Sequence, residues 1–168
     1  MKDFAKDIGL ARKGDTAAFA RLYSEVYKDL YHIALYSLRD SHDACDAVSD
    51  TVMDAFCTIG KLKDEKAFRN WIMRILSAKI KRRQREYYNA PAEIEEAFQE
   101  GFNFDFVSFE VREALENLDS ESRLLLSMSV LGGYTSEEIA KICETKAATV
   151  RSKLSRIKKR LGAELSRE

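Results

Sequence analysis

Apolar residues recur at three- and four-residue steps along most of this chain, the spacing that places side chains on one face of an α-helix. Between Asp15 and Leu38, residues Phe19, Leu22, Tyr23, Val26, Leu30, Ile33 and Ala34 follow it, with Asp15 as the expected N-cap. A second helix is expected to start after Ser41, whose hydroxyl can accept from first-turn amides, and to stop at Gly60 in a left-handed conformation. On it Ala44, Val48, Val52, Ala55, Phe56 and Ile59 share one face, and Asp43, Asp46, Asp50 and Asp54 the other. A third helix, about 67–85, buries Phe68, Trp71, Ile72, Ile75 and Leu76. With a short helix near Ile8 to Ala11 these make an N-terminal bundle.

Pro91 interrupts the pattern, because the residue before a proline is driven out of helical conformation. The stretch that follows is acidic and carries Phe98, Phe102, Phe104, Phe106 and Phe109; a lone alternating run has no strand to pair with, so an extended connector is expected. Helical spacing returns with Val111, Ala114, Leu115 and Leu118, and again with Leu124, Leu125, Met128 and Leu131, up to Gly132 and Gly133. The expected organisation is therefore all-α: a helical domain over 1–88, an acidic linker over 89–107 and a second small helical domain over 108–168.

The most specific local signal lies near the C-terminus. Thr135-Ser136-Glu137-Glu138 has the spacing of a capping box, in which Thr135 and Glu138 satisfy each other's free amides. A short helix to Cys143, burying Ile139, Ala140 and either Ile142 or Cys143, is followed by the turn Glu144-Thr145-Lys146. A longer helix then runs from about 147 to 165, with Val150, Leu154, Ile157 and Leu161 inward. Two helices joined so tightly, with small Ala140 at the crossing, form a helix-turn-helix. The outward residues Arg151, Ser152, Ser155, Arg156 and Lys159 suit base edges and phosphates.

Charge alters the picture only when resolved by position. The chain of 168 residues has 28 basic and 28 acidic side chains, a balance that argues at first against a polyanion partner. Yet Arg74, Lys79, Lys81, Arg82, Arg83 and Arg85 form one run without an acid, and Lys146, Arg151, Lys153, Arg156, Lys158, Lys159 and Arg160 another. Between them lies the acidic connector. Two basic patches flanking it fit one polyanion touched at two places.

Other chemistry finds little support. No apolar stretch is long enough to span a bilayer and the N-terminus lacks a signal-peptide core, so a cytoplasmic protein without membrane contact is expected. Cys45, Cys57 and Cys143 match neither a zinc site nor a disulfide framework and are expected as buried, reduced thiols. His32 and His42 have no partner at metal-ligand spacing, and there is no glycine-rich phosphate loop; no enzyme, metal or cofactor is expected.

Several runs resemble one family. Ala114-Leu115-Glu116-Asn117-Leu118, Arg123, Gly133-Tyr134-Thr135-Ser136-Glu137-Glu138-Ile139-Ala140 and Thr149-Val150-Arg151-Ser152-Lys153-Leu154-Ser155-Arg156 resemble the promoter-binding C-terminal domain of sigma-70 factors, in particular the extracytoplasmic-function (ECF) group. Asp43-Ala44-Cys45-Asp46 through Asp50 to Ala55-Phe56, and Phe68-Arg69-Asn70-Trp71-Ile72-Met73-Arg74-Ile75, resemble its core-binding and minus-10 domain. The resemblance implies a transcription initiation factor that binds core RNA polymerase, through the β′ clamp helices and the β flap, and promoter DNA. It implies core contacts at Asp43, Asp46, Asp50 and Asp54, minus-10 contacts at Lys61, Lys63, Arg74, Lys79, Arg82 and Arg83, and minus-35 contacts at Arg151, Ser152, Lys153, Ser155, Arg156 and Lys159. An anti-sigma factor is a possible further partner. Ser49, Ala78, Arg82, Asp119 and Glu144 depart from the family pattern, Asp119 standing for a proline and Glu144 for the glycine of the turn. The alternative is a stand-alone helix-turn-helix regulator, which leaves the aspartate face and first basic run unused.

Overall fold

A computed structural model describes residues 4–88 and 116–166. The connector, its phenylalanines, and Val111, Ala114 and Leu115 lie outside the described residues. Seven α-helices are described, and no strand among these residues: α1 (Phe4–Ala11), α2 (Thr16–Leu38), α3 (Ser41–Thr58), α4 (Phe68–Tyr88), α5 (Ser120–Val130), α6 (Ser136–Ile142) and α7 (Ala147–Leu165).

The long helix α2 is the centre of the fold. Asp15 caps it, its Oδ1 accepting from the Ala18 amide at 2.9 Å, and Phe19, Leu22, Val26, Leu30, Ile33, Ala34 and Leu38 are buried along one stripe. α1, α3 and α4 pack around that stripe, and α5 packs on it from beyond the connector. On its flank Tyr23 meets Tyr27 edge to face and Tyr27 stacks on Tyr31, at successive four-residue steps, with centroids 5.4 and 6.0 Å apart.

Helix α3 differs from expectation at both ends and on its buried face. Its cap is Asp40, one residue before Ser41: the extended Asp40 backbone aims Oδ1 at the Asp43 amide (2.9 Å), while Ser41 is already helical. The helix does not stop at Gly60 in a left-handed conformation. It tightens into a 3-10 turn over Ile59–Lys61, because Ile59 and Leu62 are both drawn into the core. The buried stripe is Ala44, Ala47, Val48, Thr51 and Ala55, small residues that let α3 lie close to α2 and α4. Phe56 is left at the rim, 39% exposed, with its edge against the Phe19 ring at 5.2 Å.

The cysteines also differ. Cys45 and Cys57 are exposed on the outer side of α3, because the small-residue stripe has taken the inner side, and Cys143 is half-buried at the end of α6. All three are free thiols.

Helix α5 is capped by Asp119, whose Oδ1 accepts from the Ser122 amide at 2.9 Å and whose Oδ2 accepts from the Ser122 hydroxyl at 2.7 Å. A proline could not cap in this way. Leu124 to Met128 are all buried, because α5 has α2 on one side and α6 and α7 on the other. The C-terminal helices thus rest on the N-terminal bundle through α5.

Candidate nucleic-acid interface

The helix-turn-helix is built by one cap and one stripe. The Glu138 amide donates to Thr135 Oγ1 at 3.2 Å and the Thr135 amide to Glu138 Oε2 at 2.8 Å, completing the capping box of α6. These bonds hold the Glu138 carboxyl below its usual range. Ile139, Ala140 and Ile142 on α6 face Val150, Leu154 and Ile157 on α7, all buried. In the turn Glu144 takes φ +56°, the left-handed conformation that a glycine adopts without cost.

With that stripe turned inward, Ser152, Ser155, Arg156 and Lys159 form the centre of the outward face of α7, all exposed. Arg151 and Lys153 fall on its two flanks. Arg151 pairs with Glu137 of α6, and Lys153 Nζ lies 2.5 Å from Glu121 of α5. A groove of about 630 Å³ runs beside this face, bordered by Thr135, Ser136, Arg151, Ser155, Lys158 and Lys159.

The basic run of α4 does not form a single patch. At 100° per residue it winds around the helix. Lys79 Nζ is 2.5 Å from Asp54, and Arg83 lies 3.3 Å from both Asp43 and Asp50, so these two cations face α3. Arg82 is exposed and pairs with Glu86 at 3.1 Å. Arg74 points to the opposite side and meets Glu144. Lys61 and Lys63 are exposed in the segment between α3 and α4.

The four aspartates do share one face of α3, and its neighbour is α4. Burial raises the Asp43 carboxyl above its usual range, Asp40 and Asp46 add to the effect, and Arg83 works against it. Asp46 is exposed. The acidic face is thus partly neutralised inside the fold instead of being wholly open to a partner.

Pattern reading missed the face of α4 that looks toward the helix-turn-helix. Arg69 Nη2 donates to Asp29 Oδ2 and to the Gly132 carbonyl, both at 2.8 Å, and its guanidinium lies 5.0 Å from the centre of the Tyr134 ring. Lys81 Nζ donates to the Cys143 carbonyl at 3.1 Å. Gln84 Nε2 donates to the Ser37 and Ser120 carbonyls at 3.2 and 3.0 Å. Arg74 and Lys81, seven residues apart, are recognisable as one helical face; their carbonyl and carboxylate partners carry no sequence signal. Among the described residues no cluster of His, Cys, Asp and Glu could hold a metal ion, and no helix is long and apolar enough to cross a membrane.

Comparison with known proteins matches these two halves separately. The family model described as sigma-70 region 2 covers residues 22–87, and that described as sigma-70, region 4 covers residues 108–161. This chain belongs to the sigma-70 family. Its relatives place it in the ECF group: it is 27% identical to the ECF RNA polymerase sigma factor SigM of Mycobacterium tuberculosis, over 88% of this chain and 77% of that protein. It is 22% identical to the RNA polymerase sigma factor SigV of Bacillus subtilis, over 84% and 87%. Among solved structures, CnrH in complex with the cytosolic domain of CnrY superposes with a TM-score of 0.71 at 23% identity, covering 95% of both chains. RpoE in complex with the anti-sigma factor NepR from Bartonella quintana gives 0.72 at 21% identity, covering 89% of this chain and 98% of that one. These structural likenesses concern the fold. The sigma-70 chain described here thus carries region 2 on α2 to α4 and region 4 on the helix-turn-helix side.

Proposed function

We infer that this ECF sigma factor binds core RNA polymerase and directs it to promoters, as a non-enzymatic cytoplasmic initiation factor. The observation that carries the reading is the outward face of α7. Capping box and apolar stripe leave Ser152, Ser155, Arg156 and Lys159 unobstructed on the second helix of a helix-turn-helix, in a chain that matches both sigma regions in order.

In this reading α7 enters the major groove at the minus-35 element. Arg156 reads a base edge, Ser152 and Ser155 contact bases or phosphates, and Lys159, Arg151 and Lys153 hold the backbone. Lys61, Lys63, Arg74, Lys79, Arg82 and Arg83 serve the minus-10 element, where unstacking costs a few kcal/mol per base and cations offset it. Asp43, Asp46, Asp50 and Asp54 meet the clamp helices of the β′ subunit, with the β flap a contact for the C-terminal half. An anti-sigma factor is a further candidate partner, consistent with the complex that RpoE forms with the anti-sigma factor NepR.

In vitro transcription with core polymerase on a promoter library, together with a core pull-down, tests the reading. Arg156→Ala is expected to cost about 1–3 kcal/mol of discrimination at one base position and to leave core binding intact. Asp46→Lys is expected to weaken core binding without disturbing the fold, because Asp46 is exposed, whereas Asp50 is held by Arg83. Failure of the wild-type chain to bind core would overturn the assignment.

A further inference from the structure

Two adjacent alanines open α7, and the register of the helix gives them opposite surroundings. Ala147 packs against the buried core, whereas Ala148 is exposed. At 100° per residue, Ala148, Ser152, Ser155 and Lys159 follow one another at steps of four, three and four, along the line opposite the stripe of Val150, Leu154 and Ile157. Between Ala147 and Arg160, Ala148 is the one exposed apolar residue; every other exposed side chain in that stretch carries a hydroxyl or a positive charge.

The Ala148 methyl is also uncovered. Its neighbours on the helix surface, three and four residues on, are Arg151 and Ser152. Arg151 is drawn aside to Glu137 of α6, and Ser152 is short. The N-terminal residues of the second helix of a helix-turn-helix are those that come nearest the base edges. A methyl group placed there can bond neither to a phosphate nor to a polar base edge. The feature of the major groove that suits it is the C5-methyl of thymine.

We propose that Ala148 is a specificity-determining residue of the promoter contact, its methyl resting on the C5-methyl of one thymine in the major groove. The proposal rests on the reading of α7 as the helix that enters that groove, and names a base it selects there. Any other base would bring an amino group or a ring acceptor against the methyl and lose its water without gaining a partner. The contact is separate from the one assigned to Arg156. Eight residues of helix span about 12 Å, and successive base pairs are about 3.4 Å apart, so the two residues read different positions.

The test removes the same contact from each side. Duplexes are selected from a random library by the full chain, free and in complex with core polymerase. Each thymine of the selected site is then replaced by deoxyuridine, which lacks only the C5-methyl. Replacement at one thymine is expected to weaken wild-type binding about fourfold, the scale of one buried methyl, and to leave Ala148→Gly unaffected. That thymine is expected at a position other than the one where Arg156→Ala relaxes discrimination. Ala147→Gly controls for helix stability: it loses the same intrinsic propensity but no outward methyl, and is expected to keep the wild-type sensitivity to deoxyuridine. The contact is overturned if no thymine is sensitive, if Ala148→Gly stays as sensitive as wild type, if Ala147→Gly loses sensitivity as well, or if the sensitive thymine is the Arg156 position. A chain that selects no duplex in either form overturns it too. A chain that fails to bind core, yet selects a site with the expected thymine effect, would sink the sigma reading and leave the Ala148 contact standing.

Discussion

Gly132 and Gly133 are adjacent and differ in what they tolerate. A Cβ on Gly132 would lie 2.5 Å from Tyr134 Cδ2 and 2.9 Å from the Met128 carbonyl oxygen, whereas one on Gly133 meets nothing within 4 Å and suffers only from its φ of +65°. Gly133→Ala should therefore cost about 1 kcal/mol and Gly132→Ala about 1–3 kcal/mol more, because ring and backbone must both move. Denaturant unfolding of the two variants checks the order, and the reverse order would remove the steric argument. Tyr134 itself is 5% exposed with an unpartnered hydroxyl. Burial pushes its phenol up to about 12, against the pull of the nearby Arg69 charge. Since the folded value lies above the unfolded one, the corresponding stability is complete below pH 10 and is lost as pH rises through 12. Tyr134→Phe should remove that high-pH loss and be neutral or stabilising at pH 7 by up to about 1 kcal/mol, as an orphan hydroxyl is deleted. A clear destabilisation of Tyr134→Phe would show that the hydroxyl is satisfied.

At the scale of elements, α3 and α4 are joined by charge as well as by packing. Arg83 reaches Asp43 and Asp50 together, and it and Asp43 are each only about 21% exposed, so this pair is less screened than the others. Asp43 has its carboxyl raised by burial, which means that its ionisation disfavours folding as pH rises through its folded pKa. Arg83 offsets that cost. In Arg83→Met the carboxyl should rise further, and the stability difference between pH 4 and pH 7 should shift by about 1 kcal/mol against pH 7; thermal or urea unfolding at the two pH values measures it. None of this pairing could be read from spacing, because Arg83 and Asp43 are 40 residues apart. What could be read was periodic or local: the stripe of α2, the capping box at Thr135, and the inward positions of α7. The buried face of α3 was misjudged at Phe56 for a related reason. Alternation of apolar and polar positions shows which side is inside, but not how near the neighbouring helices come, and close approach selected alanine and threonine over phenylalanine.

For the whole molecule, the zero net charge is a set of pairings made in space. The second basic run contains no acid, yet Glu137 and Glu121 arrive from α6 and α5 to meet Arg151 and Lys153, and Glu144 comes to Arg74 of the first run. On the outward face of α7 the cations outside those pairs are Arg156 and Lys159. Counterion release gives a measurable consequence. If all seven bases of 146–160 neutralised phosphates, the logarithm of DNA affinity would fall with the logarithm of salt at a slope of about −6. With Arg151 and Lys153 held in pairs and Arg160 engaged as well, Lys146, Arg156, Lys158 and Lys159 are left for phosphates, and the slope is about −3.6. A fluorescence titration of the free chain against a short promoter duplex across salt should give the shallower value. Glu137→Gln, which releases Arg151 to the phosphates, should steepen it by about 0.9 and tighten binding at low salt. A slope near −6 for wild type would mean that the acids yield to DNA without resistance, and that charge balance does nothing to hold the free factor away from nonspecific DNA.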